Sequence, residues 1–150
     1  MPFTASKLNL FLLFKLPSAY LCGVRARNIS ETECIVGVTH RWINQNPFNS
    51  MYFAVQAMAA ELSSGALVMY HIKEKNRRIS MLVASNKSSF MKKATGRIIF
   101  TCADGKVVCD AIERAVATGE GQTFWMKSIG VNEAGIQVSE FDFEWTIKAK

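Results

Sequence analysis

The chain has 150 residues, of which 49% are hydrophobic and 20% are charged, and these proportions exclude a disordered or low-complexity protein. Its length suits one domain with a substantial core and is too short for two comfortable ones. Eighteen lysine and arginine residues against 12 acidic residues give a formal net charge of +6. This charge favours an anionic partner such as a nucleic acid, an acidic lipid surface or a phosphorylated small molecule. A basic surface that only aids solubility explains the charge equally well.

Cysteine and histidine form no metal-binding pattern in this sequence. The cysteines contain no Cys-x-x-Cys pair, and we expect reduced, buried thiols in a cytoplasmic protein; they are Cys22, Cys34, Cys102 and Cys109. His40 and His71 have no partners spaced for a metal site or a catalytic triad. The sequence therefore predicts no metal site.

An apolar run over residues 8–14 lies near the start of the chain. Lys15 and Pro17 interrupt it well short of the ~20 residues that a membrane span needs, and no small-x-small cleavage site follows. We predict no integral membrane span and instead a helix over residues 3–21, within an N-terminal segment 1–22 that packs on the domain. A contact with a membrane surface is the alternative.

The central feature is a polar loop, beginning near Asn46, that turns into an almost entirely apolar helix. Two predicted strands, residues 24–29 and 33–42, precede it, and the helix runs from about residue 50 to about residue 71. A helix that is apolar on every side must be buried on every side. Glu61, the only acid within the apolar part, therefore costs free energy unless it is paired or used.

Four further strands follow, with a short helix inserted among them. The strands are predicted over residues 79–90, 95–103, 122–131 and 136–148, and the helix over about residues 105–118. In the last strand the buried-face alternation changes phase near Ser139, which predicts a β-bulge or a strong bend. This order gives an α+β architecture in which six antiparallel strands surround one apolar helix.

Particular residues in this order resemble the hotdog fold of acyl-CoA thioesterases, in the branch typified by phenylacetyl-CoA thioesterases and within it a subgroup of unassigned function. That branch shows a loop asparagine, a His-Gly-Gly at the helix start, an acid nine residues after the histidine, and a Phe-Leu-Arg-Pro-like corner. Over residues 20–149 the matching positions are Asn46, Tyr52-Phe53-Ala54, Glu61 and residues 90–94. Two departures stand out, because Tyr52 replaces the histidine and Phe53 replaces a small residue.

The resemblance implies a single hotdog domain over residues 1–150, with the N-terminal helix and the inserted helix as additions. It also implies a homodimer or a dimer of dimers. The implied substrate is an acyl-CoA or another thioester, with coenzyme A as part of the substrate and no other cofactor.

Thioester hydrolysis needs donors for the developing oxyanion, a carboxylate, and a polar group that positions the water or the carbonyl. The backbone of Tyr52, Phe53 and Ala54, at the start of a buried helix, is the candidate donor set. Glu61 is the candidate base or nucleophile. Asn46 is the candidate positioning group, and by resemblance it acts across a dimer interface from the partner's Glu61.

Each of these assignments has a structural alternative. Glu61 can be a buried acid tied to an arginine or to backbone N–H groups, Asn46 a plain helix cap, and Tyr52 a core residue. Ser64, on the same side of the helix as Glu61, can contact substrate or bond only to a helix carbonyl.

Lys92 and Lys93, with Lys87 and Arg97, form a basic cluster at the strand corner. They can cradle the phosphates of coenzyme A, or they can be a solvated edge that discourages sheet pairing. No nucleic-acid partner is predicted, because the sequence has no RNP-like run, no glycine-rich phosphate loop and no helix-turn-helix spacing.

Together these features predict a cytoplasmic acyl-CoA thioesterase that hydrolyses medium-chain or aryl acyl-CoA at a dimer interface. A non-catalytic acyl-CoA-binding protein is the alternative, since Tyr52 and Phe53 can block the usual approach of the carbonyl. A dehydratase of the same fold is a third and weaker hypothesis, because neither histidine is well placed in the sequence.

Overall fold

The computed structural model describes residues 3–150 and has four α-helices and six strands in that range. The helices are α1 Ala5–Lys15, α2 Pro17–Leu21, α3 Phe53–Glu74 and α4 Gly105–Thr118. The strands are β1 Arg25–Ile29, β2 Cys34–Thr39, β3 Ile79–Phe90, β4 Arg97–Cys102, β5 Gln122–Val131 and β6 Gln137–Ala149. All adjacent strands pair antiparallel in the order β1-β2-β4-β5-β6-β3, which confirms the predicted α+β architecture.

Helix α3 lies against the sheet and contributes much of the core. Most of its side chains from Val55 to Val68 are buried, as its apolar sequence predicts. Gly65 permits a close approach, because a Cβ atom there would lie 3.1 Å from Cζ2 of Trp145 on β6. The close neighbour of this glycine is therefore an aromatic ring from the sheet.

The N-terminal helix predicted over residues 3–21 is wrong as a single element, because the chain forms two helices. Leu16 leaves the helical conformation, with φ −133° and ψ 58°, and Pro17 begins α2 at a position where its missing N–H does no harm. Helix α1 is attached to β1 through Asn9, whose Oδ1 accepts from the Ala26 N–H at 2.7 Å. Residues 1 and 2 of the predicted segment lie outside the described residues.

Among the helices of residues 3–150, none is both long enough and apolar enough to cross a membrane.

Two predicted boundaries also shift around the central loop. The second strand ends at Thr39, because a 3₁₀ helix, Trp42–Asn44, follows it. Helix α3 begins at Phe53, later than predicted, because the residues before it are held in a separate turn that is described below.

The phase break predicted in the last strand is confirmed as a β-bulge. Gly130 on β5 pairs with Ser139, and the next residue, Val131, pairs with Gln137, so Val138 is the extra residue on β6. Both Val138 and Ser139 are fully buried. Ser139 has the same strand parity as the buried Phe141 and Phe143, so the bulge is what allows its neighbour Val138 to be buried as well.

The cysteines differ in burial, although all four are free thiols. Cys34 and Cys102 are register partners on β2 and β4, and burial raises the pKa of each thiol to about 12. Both are therefore protonated at neutral pH. Cys22 and Cys109 are only partly buried, which corrects the expectation that all four are interior.

Replacement of Gly105 by alanine is expected to lower the free energy of unfolding by about 2–3 kcal/mol. A Cβ atom at this first residue of α4 would overlap the backbone carbonyl oxygen of Glu31 and lie 2.7 Å from Cα of Thr32. Gly121→Ala is the matched control, because its Cβ atom would make an ordinary 3.5 Å contact with the Ile147 carbonyl oxygen. Urea unfolding measures both changes, and equal losses would contradict this steric argument.

Candidate functional site

The loop before α3 is closed by the side chain of Asn46. Its Oδ1 accepts from the N–H groups of Phe48 at 2.9 Å and Ser50 at 3.2 Å. Its Nδ2 donates to Ser50 Oγ at 2.9 Å and to the Met51 carbonyl at 3.3 Å. Asn46 therefore caps its own loop and does not cap α3, and its carboxamide is fully engaged in this arrangement.

The first turn of α3 leaves two backbone donors open. Tyr52 is the N-cap residue and provides no side-chain cap, while its carbonyl accepts from Val55 and Gln56. Within residues 3–150, the N–H groups of Phe53 and Ala54 have no acceptor. Open N–H groups at a helix N-terminus carry partial positive charge, which suits an anionic oxygen. These are the backbone groups that the sequence indicates.

A cavity of about 620 Å³ opens beside this turn, and we call it the helix-start cavity. It brings together five of the eight predicted site residues: Asn46, Tyr52, Phe53, Lys92 and Lys93. Its other lining residues are Pro47, Phe48, Ser50, Met51, Gln56, Phe90, Met91 and Ala94. Most of this wall is apolar, so it fits an acyl chain better than a charged group.

The predicted basic cluster is divided between different places. Lys92 and Lys93 lie on the wall of the helix-start cavity, where Lys93 Nζ donates to the Phe48 carbonyl at 3.2 Å. Lys87 lies over the Trp125 ring, with Nζ 5.8 Å from the centroid, and does not line this cavity. Arg97 does not line it either.

Glu61 lies in a second cavity of about 300 Å³, between α3 and the two N-terminal helices, which we call the Glu61 cavity. Within the described part of the chain, its carboxylate makes no hydrogen bond and no ion pair. Burial raises the pKa of this carboxyl above its ordinary value. The other lining residues are Leu12, Lys15, Leu16, Pro17, Ser18, Ala19, Met58 and Leu62.

Ser64 and Ala54 line neither of these two cavities. The Ser64 hydroxyl is fully buried, donates to the Glu61 carbonyl at 3.0 Å and accepts from Trp145 Nε1 at 3.0 Å. Its hydrogen bonds thus connect α3 to β6. Ala54 is only partly buried, and its backbone N–H is one of the two open donors at the start of α3.

Gln56 is the site residue that the sequence argument missed. It lines the helix-start cavity, is only 4% exposed, and its Oε1 accepts from Ser139 Oγ at 2.8 Å. The available signal was a long polar side chain, one turn into a helix that is otherwise apolar there. A charged residue such as Glu61 is conspicuous in an apolar helix, whereas a neutral amide is a weaker signal.

Solved structures with similar architecture come from several bacteria. PA5026 from Pseudomonas aeruginosa, described as a protein of unknown function and probable thioesterase, has a TM-score of 0.84 at 20% identity and covers 100% of this chain and 99% of its own. OLEI01261 from Chlorobaculum tepidum, of unknown function, has a TM-score of 0.84 at 16% identity, with 97% and 94% covered. Thioesterase HI1161 from Haemophilus influenzae has a TM-score of 0.75 at 11% identity, with 99% and 93% covered. These similarities confirm the hotdog fold.

No curated protein sequence matches the chain. A family model described as a domain of unknown function, DUF4442, matches residues 5–147. The match spans both cavities, five complete strands and all but the last two residues of β6, and the chain therefore belongs to the DUF4442 family.

Proposed function

We propose that this protein hydrolyses the thioester of medium-chain or aryl acyl-CoA, at a site assembled between two copies of the chain. One observation carries the proposal. A single chain holds both halves of a thioester-hydrolysis site: open N–H donors at the start of α3, beside one cavity, and an unpaired, partly buried carboxylate in another. Several proteins with this fold are described as thioesterases.

The separation of the two halves is the reason for proposing a dimer. No acidic residue lines the helix-start cavity. Glu61 lies eight residues after Phe53, which is about 12 Å along the helix axis, whereas a reacting carboxylate or its water must come within about 3–3.5 Å of the carbonyl carbon. A twofold axis would allow the partner's Glu61 to face the donors of this cavity.

The outer edge of the sheet supports pairing between two copies. Strand β3 has 12 residues, lies at one edge of the sheet, and is exposed over its second half. Leu82 and Phe90 on this strand are 64% and 46% exposed. A long unpaired edge with apolar side chains is a template for another strand. The proposed assembly is thus a homodimer, with a dimer of dimers as a larger form.

In the proposed reaction, the thioester carbonyl oxygen accepts from the N–H groups of Phe53 and Ala54, which stabilise the negative charge that develops there. Glu61 of the partner subunit activates a water or attacks the carbonyl carbon itself. When Glu61 acts as base, it takes a proton from the attacking water, the C–S bond breaks, and that proton passes to the leaving sulfur, which gives a carboxylic acid and the thiol of coenzyme A. When Glu61 attacks, the C–S bond breaks to leave a mixed anhydride and a thiolate, and water then cleaves the anhydride to regenerate Glu61 and supplies the proton of the thiol. Lys92 and Lys93, both exposed at the cavity wall, would contact the phosphates of coenzyme A.

The proposal is tested by following thiol release from a panel of short, medium, aromatic and long acyl-CoA substrates. We expect turnover of medium-chain or aryl members by the unaltered protein and none by Glu61→Ala. The proposal is wrong if the unaltered protein is no faster than Glu61→Ala on every member. We also propose a cytoplasmic location, which the substrate panel does not test. Fractionation of cells measures it separately.

A non-catalytic acyl-CoA-binding protein is the second candidate. The observation that favours it is the engaged state of Asn46, whose carboxamide already satisfies its own loop. The Phe53 ring, at the helix start, also packs edge-on against Phe90 at a centroid distance of 6.2 Å. Binding of an acyl-CoA without any turnover in the same panel would support this candidate.

A further inference from the structure

The floor of the helix-start cavity contains a buried amide that the proposed reaction does not use. Gln56 is 4% exposed, and Ser139, which donates to its Oε1 at 2.8 Å, is fully buried. Ser139 faces the interior because it shares the strand parity of the buried Phe141 and Phe143 on β6. Strand β6 thus fixes the orientation of the Gln56 carboxamide.

The other end of this carboxamide is unpaired. Gln56 Nε2 makes no hydrogen bond with any residue from 3 to 150. Every fully buried side-chain nitrogen or oxygen in the described part of the chain has a partner, so Nε2 must be open to the cavity that Gln56 lines. A ligand without an acceptor at this point would displace water from Nε2 and leave the donor unpaired, whereas a ligand oxygen would replace the lost hydrogen bond.

The position of Gln56 indicates where that acceptor would lie. Gln56 follows Phe53 by three residues, about 4.5 Å along the helix axis. Both residues line the helix-start cavity, and positions three apart lie on the same side of a helix. If the thioester carbonyl oxygen sits at the Phe53 N–H, as the proposed function requires, Gln56 is one helical turn away from it, beside the part of the acyl chain nearest the carbonyl.

We propose that Gln56 selects acyl groups that carry an oxygen on the third carbon, namely 3-hydroxyacyl or 3-oxoacyl thioesters. The Nε2 group donates to that oxygen, and Ser139 holds the carboxamide in the donating orientation. A plain alkyl chain of the same length leaves Nε2 unpaired and binds less well. This inference rests on the proposed function, because it uses the carbonyl position assigned there.

The test compares the dissociation constants of 3-hydroxyoctanoyl-CoA, octanoyl-CoA and coenzyme A. Glu61→Gln is the host protein, so that the thioesters survive the measurement. We expect 3-hydroxyoctanoyl-CoA to bind about tenfold more tightly than octanoyl-CoA. Adding Gln56→Met should remove this preference, because methionine keeps the length and apolar stem of glutamine without its donor. Adding Gln122→Met, the same exchange outside the cavity, should leave the preference unchanged.

A second measurement needs no substitution of Gln56. In the Glu61→Gln host, the side-chain N–H resonances of Gln56 should shift on addition of 3-hydroxyoctanoyl-CoA and shift less with octanoyl-CoA. Equal affinity for the two thioesters, or a preference that persists in Gln56→Met, would overturn the role of Gln56 while leaving thioester binding intact. If neither thioester binds more tightly than coenzyme A, the proposed function itself fails, and this inference fails with it.

Discussion

Replacement of Glu61 by glutamine is expected to lower thioester hydrolysis by about 10³-fold. Glutamine keeps the shape of the side chain but can neither accept a proton from water nor attack the carbonyl. Glu74→Gln is the matched control, because Glu74 is the exposed last residue of the same helix. We expect that control to stay within about twofold of the unaltered protein. Thiol release measures activity, and circular dichroism checks the fold of each variant.

The same carboxyl should give the reaction its pH dependence. Burial raises the pKa of Glu61, and only the ionised form acts as base or nucleophile. The value of kcat/KM should therefore rise with pH through this raised pKa, above the range of an ordinary glutamate. A rise centred in the ordinary glutamate range, or full activity in Glu61→Gln, would contradict the assignment.

Stability should change in the opposite direction over that pH window. Because the pKa is higher in the folded than in the unfolded protein, the folded state binds the proton more strongly. The contribution of Glu61 to the free energy of unfolding therefore falls as pH rises from the unfolded pKa through the folded pKa, and it is level above that. In Glu61→Gln this fall should be absent, which urea unfolding at a series of pH values measures.

Much of the fold follows from local sequence patterns. The predicted bounds of β3, β5 and α4 agree with the structure, because Gly119 and the turn around Gly135 mark where elements stop. The start of α3 does not follow from such patterns. The Asn46 side chain accepts hydrogen bonds from the N–H groups of Phe48 and Ser50, which holds these residues in a loop instead of the first turn of the helix. These hydrogen bonds form only when the loop is folded.

The site was predictable in its parts but not in its arrangement. A single acid in an apolar helix identifies Glu61, and the helix start after a polar loop identifies the open N–H groups of Phe53 and Ala54. Periodicity along α3 cannot show that Glu61 and Phe53 line different cavities, because α1 and α2 form one wall of the Glu61 cavity. Nor can it show that Ser139 on β6 meets Gln56, since that pairing spans 83 positions of sequence.

A dimer made from two inactive variants should recover activity, and this is the sharpest test of a site shared between copies. The variants are Glu61→Gln and Asn46→Asp. An aspartate keeps the oxygen that accepts from Phe48 and Ser50 but loses the two Nδ2 donations, to Ser50 Oγ and to the Met51 carbonyl. It also adds negative charge to the cavity in which the oxyanion develops. Each variant alone should be nearly inactive.

In a twofold dimer of one copy of each variant, one site carries both substitutions and the other carries neither. A hybrid isolated through two different affinity tags should therefore show about half of the turnover of the unaltered dimer. The matched control is a hybrid of the unaltered chain with the Glu61→Gln/Asn46→Asp double variant. If each site is shared between the two copies, each of the two sites in this control carries one of the substitutions. The control should therefore be nearly inactive. If each site lies within one chain, the two results are exchanged, with the control half active and the first hybrid inactive, because no site then combines residues from both copies.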